Sequence, residues 1–414
     1  MKKSYLMIAI AAIALVSCAG KELKSEVQEY NESAISFDSY AGIQTKAADN
    51  NKDAVNKWLL ENHNETFDVW AWKFYDGAWV TTAVYNKGVV TYNADGSETE
   101  TYFKWDVNPI KFWDKSAEKY YFYAASPSNA AWTLTGTGDQ GKLSYADFTL
   151  AGGLANNLSY NATATVTTEV QSFKGVADVD LMIAEDNLVP RAKYNKPQPD
   201  KVNEIFDHIL SRLNVTVALK AGGTIATLNS DTDNTNDVVV KVTGFEIKGV
   251  SLKNKGTFNE DAALGTDTLK NGTIKRWVSL DLTDTYDLPG ADIKDSVLTA
   301  TTPLYIAQYL IIPQAITSEV LDRANGKKDT DNDGVGDQAA ANPYLKLDYT
   351  IGGEPYTAYY NLAHAFNVAE GKALNFCEGW QNVLNIKIDA DMIVFDAEVY
   401  EWKDKENKDV TIFD

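Results

Sequence analysis

Apolar and polar residues alternate along most of this chain with a period of two, the pattern of a strand that buries one face. The clearest early run is FDVWAW at residues 67–72, followed by alternating segments at 79–85 and 89–92, with Gly77, Gly88 and Asp95-Gly96 as turns. The series continues at 102–105, 110–113 and 120–125 (YYFYAA). These strands recur every 8–15 residues with no helical run between them, which predicts an all-β protein built as an antiparallel sandwich. A short apolar strand, DLMIA, is predicted at 180–184. Residues 186–203 carry Pro190, Pro197 and Pro199 among charges and read as a connection between two domains. The next segment, 204–219, is predicted to begin as a helix and to end as a strand over 213–219. Further strands are expected at 238–250, 277–282, 304–312, 344–351, 355–360 and 383–388. The run LYIAQYLII, stopped by Pro313, has the continuous apolar character of a strand buried on both faces. Residues 53–62 suit a short helix, while 151–163, 228–237 and 253–272 read as loops. No repeat of 20–50 residues is present.

The last predicted strand is residues 392–402, MIVFDAEVYEW. Ile393, Phe395, Ala397 and Val399 fall on one side, and Asp396, Glu398 and Tyr400 on the other. Such a strand either completes its own sheet or joins a neighbour's exposed edge, where backbone pairing supplies affinity and alternate side chains supply fit. About five apolar side chains at roughly 2 kcal/mol each offer about 10 kcal/mol before ordering costs. A shorter alternation, AISFDSY, occupies residues 34–40.

The N-terminus carries an export signal. Lys2 and Lys3 precede an apolar run over 5–16 that ends at Ser17-Cys18, the form of a secretory signal and too short for a permanent span. Two readings follow: a plain signal peptide with an incidental cysteine, or a lipobox in which Cys18 takes a diacylglycerol and becomes the mature N-terminus. Two or three acyl chains anchor a protein stably to a membrane where one does not. Downstream, Lys46 and Ala47 lie among small residues, either as an exposed protease site or as ordinary linker.

Length and composition set outer bounds. A chain of 414 residues is long enough for two domains with full cores. Its 10 Trp and 22 Tyr suit sheets, as core or as a sugar-binding platform. A net charge of −20 argues against nucleic acid and anionic membrane as partners, because both require clustered cations. The two cysteines, Cys18 and Cys377, make no disulfide framework, and Cys377 is expected to be a buried, inert thiol.

Catalytic chemistry finds little support. His63, His208 and His364 are isolated, and neither a phosphate-binding glycine loop nor a nucleophile elbow occurs. One motif is sharper. In DTDNDGVGD, residues 329–337, the side chains of Asp329, Asp331, Asp333 and Asp337 take positions 1, 3, 5 and 9 of a calcium loop, with Gly334 at the turn. The twelfth position is Ala340 and supplies no ligand, so a calcium site and a solvated acidic turn both remain open.

Several of these segments, taken in order, resemble the fimbrillin family, the pilus subunits of Bacteroidetes. They are the lipobox at Cys18, ISF at 35–37 with TKA at 45–47, FDVWAW at 67–72 and YYFYAASP at 120–127. They continue with DLMIA at 180–184, HILSRL at 208–213, IIPQ at 311–314 and FDAEVYEW at 395–402. The resemblance implies two transthyretin-like antiparallel β-sandwich domains in tandem. It divides the chain into a lipoprotein signal peptide (1–18), a propeptide with an N-terminal strand (19–50), an N-terminal domain (51–200) and a C-terminal domain with a terminal donor strand (201–414). It implies cleavage between Lys46 and Ala47, loss of the strand at 34–40, and a donor segment at 392–413 carrying Ile393, Phe395, Ala397, Val399 and Trp402. The implied function is that of a structural subunit of a cell-surface fimbria supporting adhesion. Its partners would be copies of itself, accessory pilins and, through the lipid, the outer membrane. Catalysis and a cofactor are not implied. A second expectation, from the tryptophans and the lipobox, is a glycan-binding lipoprotein of the outer membrane surface.

Overall fold

The computed structural model describes residues 34–41, 66–92, 105–151, 179–197, 199–229, 238–261, 276–282, 286–289, 296–330, 335–390 and 392–401. The first half begins with β1 (Phe37–Ala41), β2 (Thr66–Tyr75), the short β3 (Ala78–Trp79), β4 (Tyr85–Tyr92), β5 (Trp105–Asn108) and β6 (Lys119–Ser126). It continues with β7 (Trp132–Thr135), β8 (Lys142–Thr149), β9 (Met182–Pro190), a one-turn helix α1 (Arg191–Tyr194) and β10 (Val202–His208). The first sheet runs β1-β10-β9-β6-β2-β4-β5, with β3 beside β2. Every pairing in it is antiparallel except β1 with β10.

The aromatic runs sit at the centre of this sheet because both of their faces are covered. Phe67, Val69, Ala71, Tyr120, Phe122 and Ala124 enter one core, in company with Trp105, Trp113 and Phe206. Trp70, Trp72, Tyr121, Tyr123 and Ala125 enter a second, larger core on the opposite face. That two-sided burial explains why both runs are rich in large rings rather than strictly alternating.

The second half comprises β11 (Ser211–Leu219), α2 (Thr224–Leu228), β12 (Val240–Lys248), β13 (Lys255–Asn259), β14 (Trp277–Asp281), β15 (Leu288–Pro289) and β16 (Ser296–Val297). Then follow β17 (Leu304–Ile311), β18 (Gln314–Thr317), β19 (Lys327–Lys328), β20 (Gln338–Ala339), β21 (Tyr344–Ile351) and β22 (Glu354–Asn361). The described chain closes with α3 (Leu362–Ala365), β23 (Ala373–Phe376), β24 (Trp380–Ile388) and β25 (Ile393–Glu401). One sheet runs β17-β11-β24-β25 and another β15-β12-β21-β22, with β16 also on β12. Leu213, Val215, Val217, Val242, Ile247, Leu345, Leu384 and Ile386 fill the large core from these sheets. The protein is therefore all-β in substance, and among the described residues the pairings are antiparallel apart from β1–β10 and β11–β24.

Three segments differ from expectation. Residues 204–208 are strand, not helix, because β10 turns Val202, Glu204, Phe206 and His208 inward and leaves Asn203, Ile205 and Asp207 exposed. Two polar residues on the buried face disguise the period of two. The loop expected over 253–272 contains β13, whose inward positions are only Gly256 and Phe258. A Cβ on Gly256 would meet Leu280 Cδ2 at 2.8 Å, so the smallest residue lets β14 lie close. The proline-bearing stretch 186–203 folds as most of β9, α1 and the start of β10, and both strands belong to the first sheet. The chain changes sheets at Ile209 and Leu210 instead. Pairing also crosses residue 200 in a further sheet, β14-β13-β8-β7, in which β8 lies against β13. The helix expected at 53–62 lies outside the described residues.

Candidate functional site

The seat of β1 is built wholly by segments distant from it in sequence. On one side it runs parallel to β10, with Phe37 opposite Val202, Ser39 opposite Glu204 and Ala41 opposite Phe206. The Val202 amide donates to Ser36 O at 2.8 Å. On the other side Ala34 bridges Phe112, and the Ile35 amide donates to Lys111 O at 2.8 Å. β1 thus closes a gap between β10, at one end of the first sheet, and the segment just beyond β5, at the other.

Its side chains plug the core beneath. Ile35 and Phe37 are fully buried, and the Phe37 ring meets Phe67, Tyr85 and Phe122 at centroid distances of 6.0, 5.8 and 6.0 Å. These are edge-on contacts, the favoured arrangement of ring quadrupoles. Ser36 and Asp38, which point the other way, are also buried. Outside the seam Ile110, Phe112 and Ile205 are exposed.

The floor of the seat holds one discordant group. Glu204 is completely buried between Val202 and Phe206, and neither carboxyl oxygen has a hydrogen-bond partner. Burial pushes its carboxyl up to about 7, with the Asn187 side chain pulling the other way. The Asn187 amide is itself engaged with Asn203 O at 2.7 Å. An orphaned buried carboxyl is costly, and native interiors hold few of them. In the sequence Glu204 is marked only as an acid at an inward position of the alternating run VNEIFDH.

The expected donor strand is in place at home. β25 pairs antiparallel with β24 over nine residues, from Ile388↔Ile393 to Trp380↔Glu401. Ile393, Phe395, Ala397 and Val399 are half-buried against the large core, and Phe395 meets Tyr360 at 4.5 Å. β25 is also the edge of its sheet, so one side of its backbone is unpaired by any other strand of that sheet. Cys18, Lys46, Ala47, Trp402, Asp331 and Asp333 lie outside the described residues. Asp329 and Asp337 flank the acidic turn, where the Asp337 carboxylate accepts from the Thr330 hydroxyl at 2.8 Å and the Thr330 amide at 3.2 Å. These bonds hold the Asp337 carboxyl below its ordinary pKa. Among the described residues no three His, Cys, Asp or Glu side chains converge as a metal site.

The tryptophans are mostly core. Trp70, Trp72, Trp105, Trp113, Trp132 and Trp277 are buried, and Trp79 and Trp380 are half-buried. His208 pairs with Asp180 at 2.8 Å inside the protein. Cys377 is buried, which pushes its thiol up to about 11. Among the described residues no helix is long and apolar enough to cross a membrane.

No protein-family model and no curated protein matches this chain. Solved structures do. A fimbrial protein from Bacteroides vulgatus is 15% identical, covering 90% of this chain and 100% of its own, with a TM-score of 0.42. The tip fimbrial protein Mfa3 from Porphyromonas gingivalis, with a C-terminal truncation, is 9% identical over 82% of this chain and 95% of its own, with a TM-score of 0.36. The fimbrial anchor protein Mfa2 from the same organism is 12% identical over 88% and 96%, with a TM-score of 0.26. Each of these alignments spans most of this chain's length.

Proposed function

We propose that this chain is a structural subunit of a cell-surface fimbria, exported as a lipoprotein on Cys18 and assembled by strand exchange. In this reading a protease cuts between Lys46 and Ala47, β1 leaves with the N-terminal segment, and residues from 392–413 of a neighbouring subunit fill the vacated seat. The observation that carries the reading is the seat of β1. It is built without any residue adjacent to β1 in sequence, and Phe67, Tyr85 and Phe122 line it against the ring of Phe37. Loss of β1 would leave β10 with an unpaired edge and expose Phe67, Tyr85 and Phe122 to water. Burying Ile35 and Phe37 is worth roughly 1.5–3 kcal/mol each. A neighbour's strand restores both the backbone pairing and the plug, so assembly is driven by the same forces that hold β1. Partners are further copies of the subunit and accessory pilins, with the lipid holding the outer membrane and the polymer supporting adhesion.

The test follows from β25. Deleting 391–414 would strip a strand from the protein's own sheet, so the informative truncation stops after Glu401 and leaves β25 in place. Once the N-terminal segment is cut away, the full-length protein is expected to form polymers by light scattering and electron microscopy, and the truncated protein to remain monomeric. Polymers of normal length from the truncated protein would contradict the donor assignment.

A further inference from the structure

Glu204 is the least comfortable residue of the seat as β1 fills it, and it identifies what the seat is shaped to receive. Three alternate positions lie along β1, at 35, 37 and 39. The first two, at 35 and 37, take apolar side chains against the Phe67, Tyr85 and Phe122 rings. The third, at 39, stands opposite Glu204, whose oxygens are unpartnered. Beside position 34 lies the exposed ring of Phe112. A well-matched occupant therefore carries two alternating apolar residues, then a cation two positions further, and a large apolar residue at the opposite end.

Residues 408–413, KDVTIF, carry this pattern in one direction only. Laid antiparallel to β10, they place Ile412 at position 35, Val410 at 37, Lys408 at 39 and Phe413 at 34 beside Phe112. Asp409 then falls at 38, where β1 has Asp38. Laid parallel, with Val410 at 35 and Ile412 at 37, the same segment brings Asp414 against Glu204, two carboxylates in a buried site. Like charges there are unfavourable, whereas a lysine ammonium supplies the donors that Glu204 lacks. An antiparallel ladder is also the slightly more stable pairing per residue.

We infer that the β1 seat is a docking site for residues 408–413 of a second copy of this chain, entering antiparallel to β10 with Lys408 paired to Glu204. This rests on the strand-exchange reading above and fixes its register and direction. β25 stays in its own sheet, and Trp402 to Asn407 bridge the two subunits. A buried carboxylate with a single matched cation acts as a selector, because a strand without the cation leaves Glu204 orphaned.

The test uses full-length chains carrying two different tags, one with Glu204→Cys and the other with Lys408→Cys or Asp414→Cys, mixed, cut at Lys46 and oxidised. A disulfide between differently tagged chains is expected with Lys408→Cys and not with Asp414→Cys. The reverse pattern overturns the register while leaving strand exchange standing. No cross-link to either position, with no polymer from the unsubstituted cut protein, overturns both. In a chain that carries both Glu204→Cys and Lys408→Cys, a disulfide that forms only within single chains shows the seat taking its own tail and overturns the second-copy assignment. In a charge exchange, Glu204→Lys is expected to lower the polymerised fraction at least tenfold and Lys408→Glu in the same chain to restore it. Failure of restoration in a folded double variant contradicts the pairing. Should Glu204→Lys not fold, Glu204→Gln serves, with slower polymerisation expected and an unchanged rate contradicting the pairing.

Discussion

The ring of Phe37, on the short strand β1, meets the ring of Phe122, on the central strand β6, edge-on at 6.0 Å and 81°. A strand at the margin of the first sheet is thereby packed into the middle of its core. Replacing Phe37 with Ala removes a fully buried ring and leaves a cavity among Phe67, Tyr85 and Phe122. Phe37→Ala is expected to destabilise the uncut protein by about 3–5 kcal/mol in urea denaturation. A change below 1 kcal/mol would show that β1 lies on the core without contributing to it.

Glu204 gives the first core a pH dependence with a definite sign. Its carboxyl stands at about 7 in the fold against 4.5 when free, so the folded state holds the proton more tightly than the unfolded chain does. Its contribution to stability therefore falls as pH rises from about 4.5 to about 7 and is fully lost above that. Glu204→Gln removes this slope. At pH 8 the variant is expected to be more stable than the parent by up to about 3 kcal/mol, and at pH 4 the difference should vanish. A parent that gains stability over the variant across this window would contradict the assignment.

Cys377 is buried, and its thiol is pushed up to about 11 by burial, with Glu378 adding to the rise. Both effects suppress the reactive thiolate. In a Cys18→Ser background the native protein at pH 8 is expected to resist a maleimide for hours and to react within minutes in denaturant. Prompt native labelling would place the thiol at the surface.

The parts of the fold that could be read from sequence are those where burial and periodicity agree. β2 and β6 announce themselves through continuous rings because both of their faces are covered. β25 does so through the alternation of its sequence, although residues 393–399 are all half-buried. β10 was hidden because Glu204 and His208 occupy inward positions, and β13 because Phe258 is its one large inward side chain. Pairings such as β8 with β13 depend on contacts over a hundred residues apart, which local pattern cannot encode. The candidate site was half visible. ISF at 35–37 marks a strand, but its parallel docking on β10 and the orphaned carboxyl beneath it arise only when residues 34–41 and 202–206 are brought together.

Strand exchange at this seat requires that β1 leave. The most direct measurement is the N-terminal residue of the protein recovered from sheared cell-surface material, read by sequencing or intact mass. A start at Ala47 is predicted, with residues 34–41 absent from the polymer. A start at an acylated Cys18, with β1 retained in assembled material, would contradict strand exchange at this seat.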